Sequence, residues 1–205
     1  MTYFVRRSYD PPQHQRGALV DWESIVPDLQ RRADISGIWS HGRGTLDPKE
    51  MPKAVSLKWY RSLAPVFSSD GGIIICSAQL KGVLGEFDPG LHQFIPIKIT
   101  FQSGEVPEGS FFILNVHHML DTIIDEKTKA DSGPQMPGES NRHYKYLHIG
   151  ADKDGDVTVD KLKLTSTNLW REKAYTGLYM MSDRLQQRLD QEKLTFFEPH
   201  KATEF

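Results

Sequence analysis

The run Asp152-Lys153-Asp154-Gly155-Asp156 concentrates carboxylates at alternate positions, as calcium-binding loops do. An EF-hand loop needs glycine at its sixth position and a bidentate carboxylate at its twelfth. Counted from Asp152, these positions hold Val157 and Lys163, and the flanking residues have the pattern of strands, not helices. The run is therefore predicted to be a hairpin turn that binds no calcium.

A histidine pair, His117-His118, is the second candidate for chemistry. If the pair lies on a strand, the two rings point to opposite faces and cannot share a metal ion. On a loop, either ring could act with Asp121 in a small metal- or histidine-dependent hydrolase. That alternative stays open, but the sequence predicts no metal and no cofactor.

Nucleophilic side chains lack the surroundings that catalysis requires. Ser77 and Ser182 are outside any Gly-x-Ser-x-Gly elbow, and each precedes a helical pattern that it could cap. Cys76, the single cysteine, follows three isoleucines and is predicted to be a buried, unreactive residue. We therefore expect no catalytic residues, and we expect that the protein is not an enzyme.

An acidic surplus marks the stretch from Met119 to Asp160, which holds nine acidic and five basic residues. Either these carboxylates cover a solvated loop, or they form a patch that steers a basic partner. The whole chain has a formal charge of −2, which argues against a dedicated nucleic-acid binder.

The elements that must position these residues belong to an ordinary globular chain of 205 residues, 38% hydrophobic and 25% charged. No signal peptide and no apolar run of about 18 residues is evident, so we expect a cytoplasmic protein that contacts no membrane. The length fits one compact domain (1–205), or two lobes with an N-terminal lobe at 1–130 and a C-terminal lobe at 140–205.

Hydrophobic periodicity predicts an α+β protein with mixed or antiparallel sheets and helices packed on one face. Pro27 interrupts a helical pattern over 18–36. Glycine or proline punctuates predicted loops at 41–44, 88–90 and 125–141. The predicted strands lie at 3–7, 56–60, 73–77, 93–101 and 111–119, with a hairpin formed by 144–149 and 156–164.

A repeated strand-helix-strand unit is the most informative pattern. The copies begin at Ile75-Cys76-Ser77 and Met180-Met181-Ser182, and each has leucine at the third and seventh positions after the serine. They end in the aromatic-x-Pro runs Phe94-Ile95-Pro96 and Phe197-Glu198-Pro199. The pattern predicts two related units, each with a serine-capped helix whose leucines pack on a sheet.

The repeat and its surroundings resemble the immunity-protein-eleven family of bacterial polymorphic-toxin systems. The N-terminal 60 residues match only in general character, and Glu198 before Pro199 departs from the pattern. The residues that carry the resemblance are Ile75-Cys76-Ser77, Leu80, Leu84, Pro89-Gly90, His92-Gln93-Phe94, Pro96-Ile97, Phe112-Ile113-Leu114-Asn115-Val116, Asp121, Leu169-Trp170-Arg171, Met181-Ser182, Leu185, Leu189, Leu194-Thr195 and Phe197.

The resemblance implies an immunity protein that neutralises a cognate toxin, secreted in contact-dependent or type VI systems, by stoichiometric occlusion. An effector-loading adaptor and the small hydrolase remain the alternatives. The family pattern contributes no catalytic residues, and the expected partner is a toxin domain, not nucleic acid; the oligomeric state is left open. The acidic residues expected at the toxin interface are Asp121, Asp125, Asp152, Asp154 and Asp156.

Overall fold

The computed structural model describes residues 1–6, 14–15, 17–58, 63–69, 72–129, 153–173, 175 and 177–205. The elements up to Leu120 are β1 (Thr2–Arg6), β2 (His14–Gln15), β3 (Gly17–Leu19), α1 (Trp22–Ile25), α2 (Leu29–His41), β4 (Ala54–Leu57), β5 (Val66–Ser69), β6 (Ile74–Ser77), α3 (Ala78–Phe87), β7 (His92–Phe101), β8 (Phe111–Val116) and β9 (Met119–Leu120). The later elements are β10 (Thr158–Val159), β11 (Leu169–Glu172), β12 (Tyr179–Ser182), α4 (Asp183–Gln191), β13 (Glu198–Lys201) and β14 (Thr203–Glu204). Asp125–Lys127 and Lys161–Lys163 form short 3-10 helices.

Two mixed sheets organise these elements, which confirms the predicted α+β class. A seven-stranded sheet has the order β2-β5-β6-β8-β7-β4-β3, and a five-stranded sheet has the order β13-β1-β12-β11-β9. Strands β2 and β3 lie at opposite edges of the larger sheet although one residue separates them in the chain. The larger sheet must therefore curl until its edges approach each other.

The structure confirms the predicted repeat and its capping serines. Ser77 lies at the N-terminus of α3, and its hydroxyl accepts the Leu80 N–H at 3.3 Å. Ser182 caps α4 in the same way, accepting the Leu185 N–H at 3.2 Å. Both leucines are fully buried. The caps satisfy backbone donors that the first helical turn leaves unpaired.

A third strand separates the two parallel strands of each unit. Strand β8 lies between β6 and β7, and β1 lies between β12 and β13; each pairs antiparallel with both neighbours. The N-terminal strand thus occupies, in the second unit, the place that β8 occupies in the first. The predicted elements agree with this arrangement, but sequence periodicity does not indicate which strand lies between the two parallel strands of each unit.

Strand register corrects one detail of the repeat. Pro96 lies opposite Phe112 on β8, and Phe112 also pairs with Cys76, the residue before Ser77. The equivalent position in the second unit is Lys201, opposite Tyr3, so Pro199 is offset from Pro96 by two residues. The prediction that the two aromatic-x-Pro endings correspond is therefore wrong. Counted by strand register from Ser77 to Pro96 and from Ser182 to Lys201, the two units have the same length.

The helices of the two units lie antiparallel within one shared core. Gln79 near the start of α3 donates to Glu192 just after α4 at 3.3 Å, while Glu86 near the end of α3 lies 3.6 Å from Arg188. Leu84 and other apolar side chains of both helices pack with both sheets in a single buried cluster. In this shared core the apolar face of each helix is buried, as a stable layered fold requires.

The first three residues of β6 are apolar, and all three are buried because both faces of the strand are covered. Ile74 and Cys76 face the core around α3 and α4, while Ile75 belongs to a second core beneath α2. Burial raises the pKa of the Cys76 thiol to about 12. The cysteine therefore stays protonated at neutral pH, as expected for a buried hydrophobe.

Arg171 joins the end of α2 to the second sheet. Its buried guanidinium donates to the carbonyls of Val116, Ser40 and Trp39 at 2.6–2.7 Å. A cation at a helix C-terminus satisfies unpaired carbonyls and matches the helix dipole. Gly42, with φ of 67°, ends α2 and lets this side chain approach, because a Cβ there would lie 2.5 Å from the Arg171 Cδ.

Three local predictions are affected by the structure. Residues 156–164 were expected to form one strand, but β10 covers only Thr158–Val159, so that prediction is wrong. The Asp160 carboxylate accepts the Leu162 N–H at 3.0 Å and turns the chain into a 3-10 helix. The predicted loop at 41–44 begins one residue later, since His41 is still helical. The strand expected at 144–149 lies outside the described residues.

Candidate functional site

Three short extended segments cover the face of the five-stranded sheet that points away from α3 and α4. Residues 122–124 pair with 157–160, and 203–205 pair with 157–159 on the other side. The Ile124 N–H donates to Thr158 at 2.9 Å, and the Phe205 N–H donates to Val159 at 2.9 Å. We call residues 121–129, 153–164 and 203–205 the outer layer.

The outer layer is fixed to the sheet by apolar packing and by one buried carboxylate. Ile123 and Val159 pack in a cluster with Phe4 and other residues of the sheet. Glu172, fully buried on β11, accepts the N–H of Thr122 at 2.9 Å and its hydroxyl at 2.7 Å. Hydrogen bonds to a buried charge are strong and directional, so the layer has a defined position on the sheet.

The structure places four of the five predicted interface carboxylates on the outer layer; Asp152 lies outside the described residues. Asp125 accepts the Tyr175 hydroxyl at 3.1 Å, and Asp154 accepts the Lys201 N–H at 2.8 Å. Asp156 accepts the Lys153 N–H at 3.1 Å and lies 3.7 Å from the Lys129 ammonium. Three of the four carboxylates therefore stabilise local structure. Asp121 is exposed to solvent.

An apolar cleft of about 710 Å³ opens on the same layer. Leu162 and Phe205 border it with 93% and 71% of their surfaces exposed, and Ile123 and Ile124 form part of its floor. Glu126, Asp160, Lys161 and Lys163 complete the lining. We call this feature the outer-layer cleft; neighbouring apolar side chains left this exposed typically mark an interaction site.

Sequence analysis missed the outer-layer cleft. The apolar pattern placed Leu162 in a strand at 156–164, whereas the turn at Asp160 ends that strand and exposes the leucine. The available signal was Asp160 two residues before Leu162, because aspartate side chains commonly accept the backbone N–H two residues on and form a turn.

The histidine pair lies between β8 and β9 and makes contacts with residues other than Asp121. His118 Nε2 lies 3.3 Å from the Thr167 hydroxyl, and His117 Nδ1 lies 3.5 Å from the Asn115 carbonyl. Burial and the neighbouring His92 lower the pKa of His118. Within the described residues, no group of three or more His, Cys, Asp or Glu side chains could hold a metal ion.

A buried polar network ties the end of α3 to the start of α4. The Asp88 carboxylate accepts the N–H groups of Asn168 at 2.8 Å and Leu169 at 2.7 Å, and it lies 3.3 Å from His92 Nε2. Asn168 Oδ1 in turn accepts the Ser182 hydroxyl at 2.8 Å. Burial raises the pKa of Asp88, but these hydrogen bonds outweigh it, so the pKa is lower than usual. This network is structural, since it links the end of α3, the start of β11 and the serine cap of α4.

Comparison with known proteins identifies the family to which this chain belongs. A family model of immunity proteins matches residues 20–204, which include both capped units and nearly all of the outer layer. The chain belongs to the immunity protein family Imm11. A search of curated proteins finds no match to the chain. Among the described residues, no helix is long and apolar enough to cross a membrane.

Proposed function

We propose that this protein neutralises a cognate secreted toxin by binding it one to one and occluding its active surface. The observation that carries the proposal is the family match over residues 20–204. Immunity proteins of this kind protect cells that carry polymorphic toxins, delivered by contact-dependent or type VI systems. Protection by occlusion needs no catalytic group, only a complementary surface that outcompetes the toxin's target.

The outer layer is the proposed contact surface. It combines exposed apolar side chains, Leu162 and Phe205, with charged residues on turns, and it is held rigidly by Glu172 and the sheet beneath. A rigid surface loses little conformational entropy on binding, which favours affinity. An interface of standard size buries about 1,600 Å² in total, so it would extend beyond the outer-layer cleft to the surrounding turns.

The carboxylates of the outer layer are proposed to speed encounter with a basic region of the toxin. Asp121 is the best of them to substitute, because it is exposed and the change should not disturb folding. Asp154 and Asp156, by contrast, accept backbone N–H groups. Asp121→Lys should slow association by about 2- to 10-fold at low salt and little at high salt. Asp34→Lys, on exposed α2, is the matched control and should leave the rate unchanged.

Co-expression with the toxin encoded beside this gene tests the proposed function. We expect the two proteins to purify as a 1:1 complex in the cytoplasmic fraction and the protein to protect cells from the toxin. Protection without a complex would favour an enzyme that modifies the toxin or its target. If deleting the gene stops toxin export but leaves cells protected, the protein is an adaptor and not the immunity protein.

A further inference from the structure

Two residues, His117-His118, carry the chain from the larger sheet to the smaller one. Strand β8 ends at Val116 in the seven-stranded sheet, and β9 begins at Met119 in the five-stranded sheet. Residues 121–129 of the outer layer follow β9 directly. A change at this connection therefore acts on the contact between the sheets and on the outer layer together.

Contacts on two sides hold His118 in this connection. Its carbonyl accepts the Arg171 N–H at 2.9 Å, which extends the pairing of β9 with β11. Its Nε2 lies 3.3 Å from the hydroxyl of Thr167, in the segment that leads into β11. The partly buried ring is thus fixed against the second sheet.

The charged and titratable groups around His118 come from the ends of α3 and β11, from β7 and from the connection itself. The acidic group that acts on its pKa is Asp88, whose carboxylate is already engaged by backbone N–H groups. Two charged residues of β11 are bonded elsewhere, Arg171 to the end of α2 and Glu172 to the outer layer. The remaining groups are His92 on β7, the adjacent His117 and Lys173 after β11.

These surroundings disfavour the charged form of the His118 ring. Burial has the largest effect, and His92, His117 and Lys173 act in the same direction, whereas Asp88 opposes them, so the pKa lies below its ordinary value of 6.5. When the connection opens, the ring reaches water and regains its ordinary pKa. As the pH falls through 6.5, the open state therefore binds protons more readily than the closed state, and the closed state loses stability.

We propose that protonation of His118 at mildly acidic pH weakens the contact between the two sheets and loosens the outer layer. Opening begins at β9, because β9 has two residues and lies at the edge of its sheet. Strand β8 stays in place, since it pairs with a neighbour on each side. Short edge elements open at a lower free energy than the strands of a core. This inference does not depend on the proposed function.

Hydrogen exchange read by NMR tests the inference at two backbone amides. The Arg171 and Lys173 N–H groups donate to the carbonyls of His118 and Leu120 at 2.9 and 2.8 Å, so their exchange reports opening of the connection. Protection is measured from about pH 7.5 to about pH 5.5 and corrected for the intrinsic pH dependence of exchange. We expect the protection of both amides in wild type to fall about two- to tenfold over this range.

Two glutamine substitutions assign the effect to one ring. His118→Gln cannot take up a proton in this range, but its amide can still reach the Thr167 hydroxyl, so protection of the two amides should stay constant with pH. His117→Gln is the matched control, because it changes the adjacent ring, whose Nδ1 lies 3.5 Å from the Asn115 carbonyl, and it should keep most of the pH dependence. An equal fall in protection in wild type and His118→Gln would overturn the inference.

Titration of the His118 ring in the wild-type protein needs no variant. The resonance of its Cε1–H group should titrate with a midpoint below 6.5. A midpoint at or above 6.5 would overturn the inference, and it would do so even if His118→Gln failed to fold.

Discussion

Replacing Asp88 by asparagine tests whether a buried carboxylate joins the two repeated units. The carboxylate accepts two short backbone bonds, from Asn168 and Leu169, and two longer ones, from the Asn168 amide and His92. An asparagine has one acceptor oxygen, and its amide group would face donors that need an acceptor. His92 cannot easily compensate, because its Nδ1, the other ring nitrogen, is buried without a hydrogen-bond partner among the described residues.

The expected loss of stability follows from the hydrogen bonds that the substitution weakens. Converting two charge-assisted bonds to neutral ones costs about 1 kcal/mol each, and an unsatisfied buried amide adds about 1–3 kcal/mol. We expect Asp88→Asn to lower the free energy of unfolding by about 3–5 kcal/mol. For a chain of this size the melting temperature should fall by about 6–20 °C.

The dependence on pH gives a second, sharper readout. The pKa of Asp88 in the folded protein lies below its ordinary value. Its hydrogen bonds therefore contribute stability above the unfolded pKa, and this contribution is lost as pH falls through the folded pKa. The difference in stability between wild type and Asp88→Asn should be full at neutral pH and should shrink as the pH falls below about 4, the ordinary pKa of an aspartate.

Thermal and urea unfolding of wild type, Asp88→Asn and the exposed control Asp121→Asn measure these differences. The control should melt within about 1 °C of wild type, as surface substitutions usually do. Equal stability of Asp88→Asn and wild type at pH 7 would refute the joining role. A loss that stays constant from pH 7 to pH 2 would show that shape matters and charge does not.

Further predictions concern packing, backbone conformation and the histidine pair. Leu84→Ala and Leu189→Ala should each destabilise the fold by about 2–5 kcal/mol in urea unfolding, because both side chains are fully buried; unchanged midpoints would contradict the shared core. Gly42→Ala should destabilise by about 1–3 kcal/mol, since φ is 67° and a Cβ would clash, whereas Gly37→Ala in the same helix, with open space around it, should stabilise by about 0.5–1 kcal/mol. Replacing His117–His118 by glutamines should leave protection from the toxin intact in a cell-survival assay; a stable variant without protection would favour the hydrolase alternative.

Features encoded over a few residues were predictable from the sequence. The serine caps and the leucines of α3 and α4 have fixed spacings, and Pro27 separates α1 from α2 as expected. The bounds of the helical pattern at 18–36 are wrong, because residues 18–19 belong to β3 and α2 continues to His41. Strands β6, β7 and β8 were predicted within a few residues of their ends. These signals depend on helix and strand periodicity, which survives in any tertiary context that buries one face.

Features that depend on distant residues were not predictable. Arg171, Glu172 and Asp88 are charged residues that sequence analysis treats as exposed, yet all three are buried and bonded to segments far away in the chain. The pairing of β1 between β12 and β13 joins opposite ends of the chain. The outer-layer cleft exists because Asp160 turns the chain and exposes Leu162, which overrides the strand-like apolar alternation.

Titration of the purified toxin with this protein tests the central claim most directly. Toxin activity is measured at a toxin concentration well above the dissociation constant, while the protein is added in steps. Neutralisation by occlusion predicts a linear loss of activity that ends at one protein per toxin and is restored when the complex is diluted or displaced. Complete inactivation by a small fraction of one equivalent, increasing with time, would contradict the account and show that the protein acts as an enzyme.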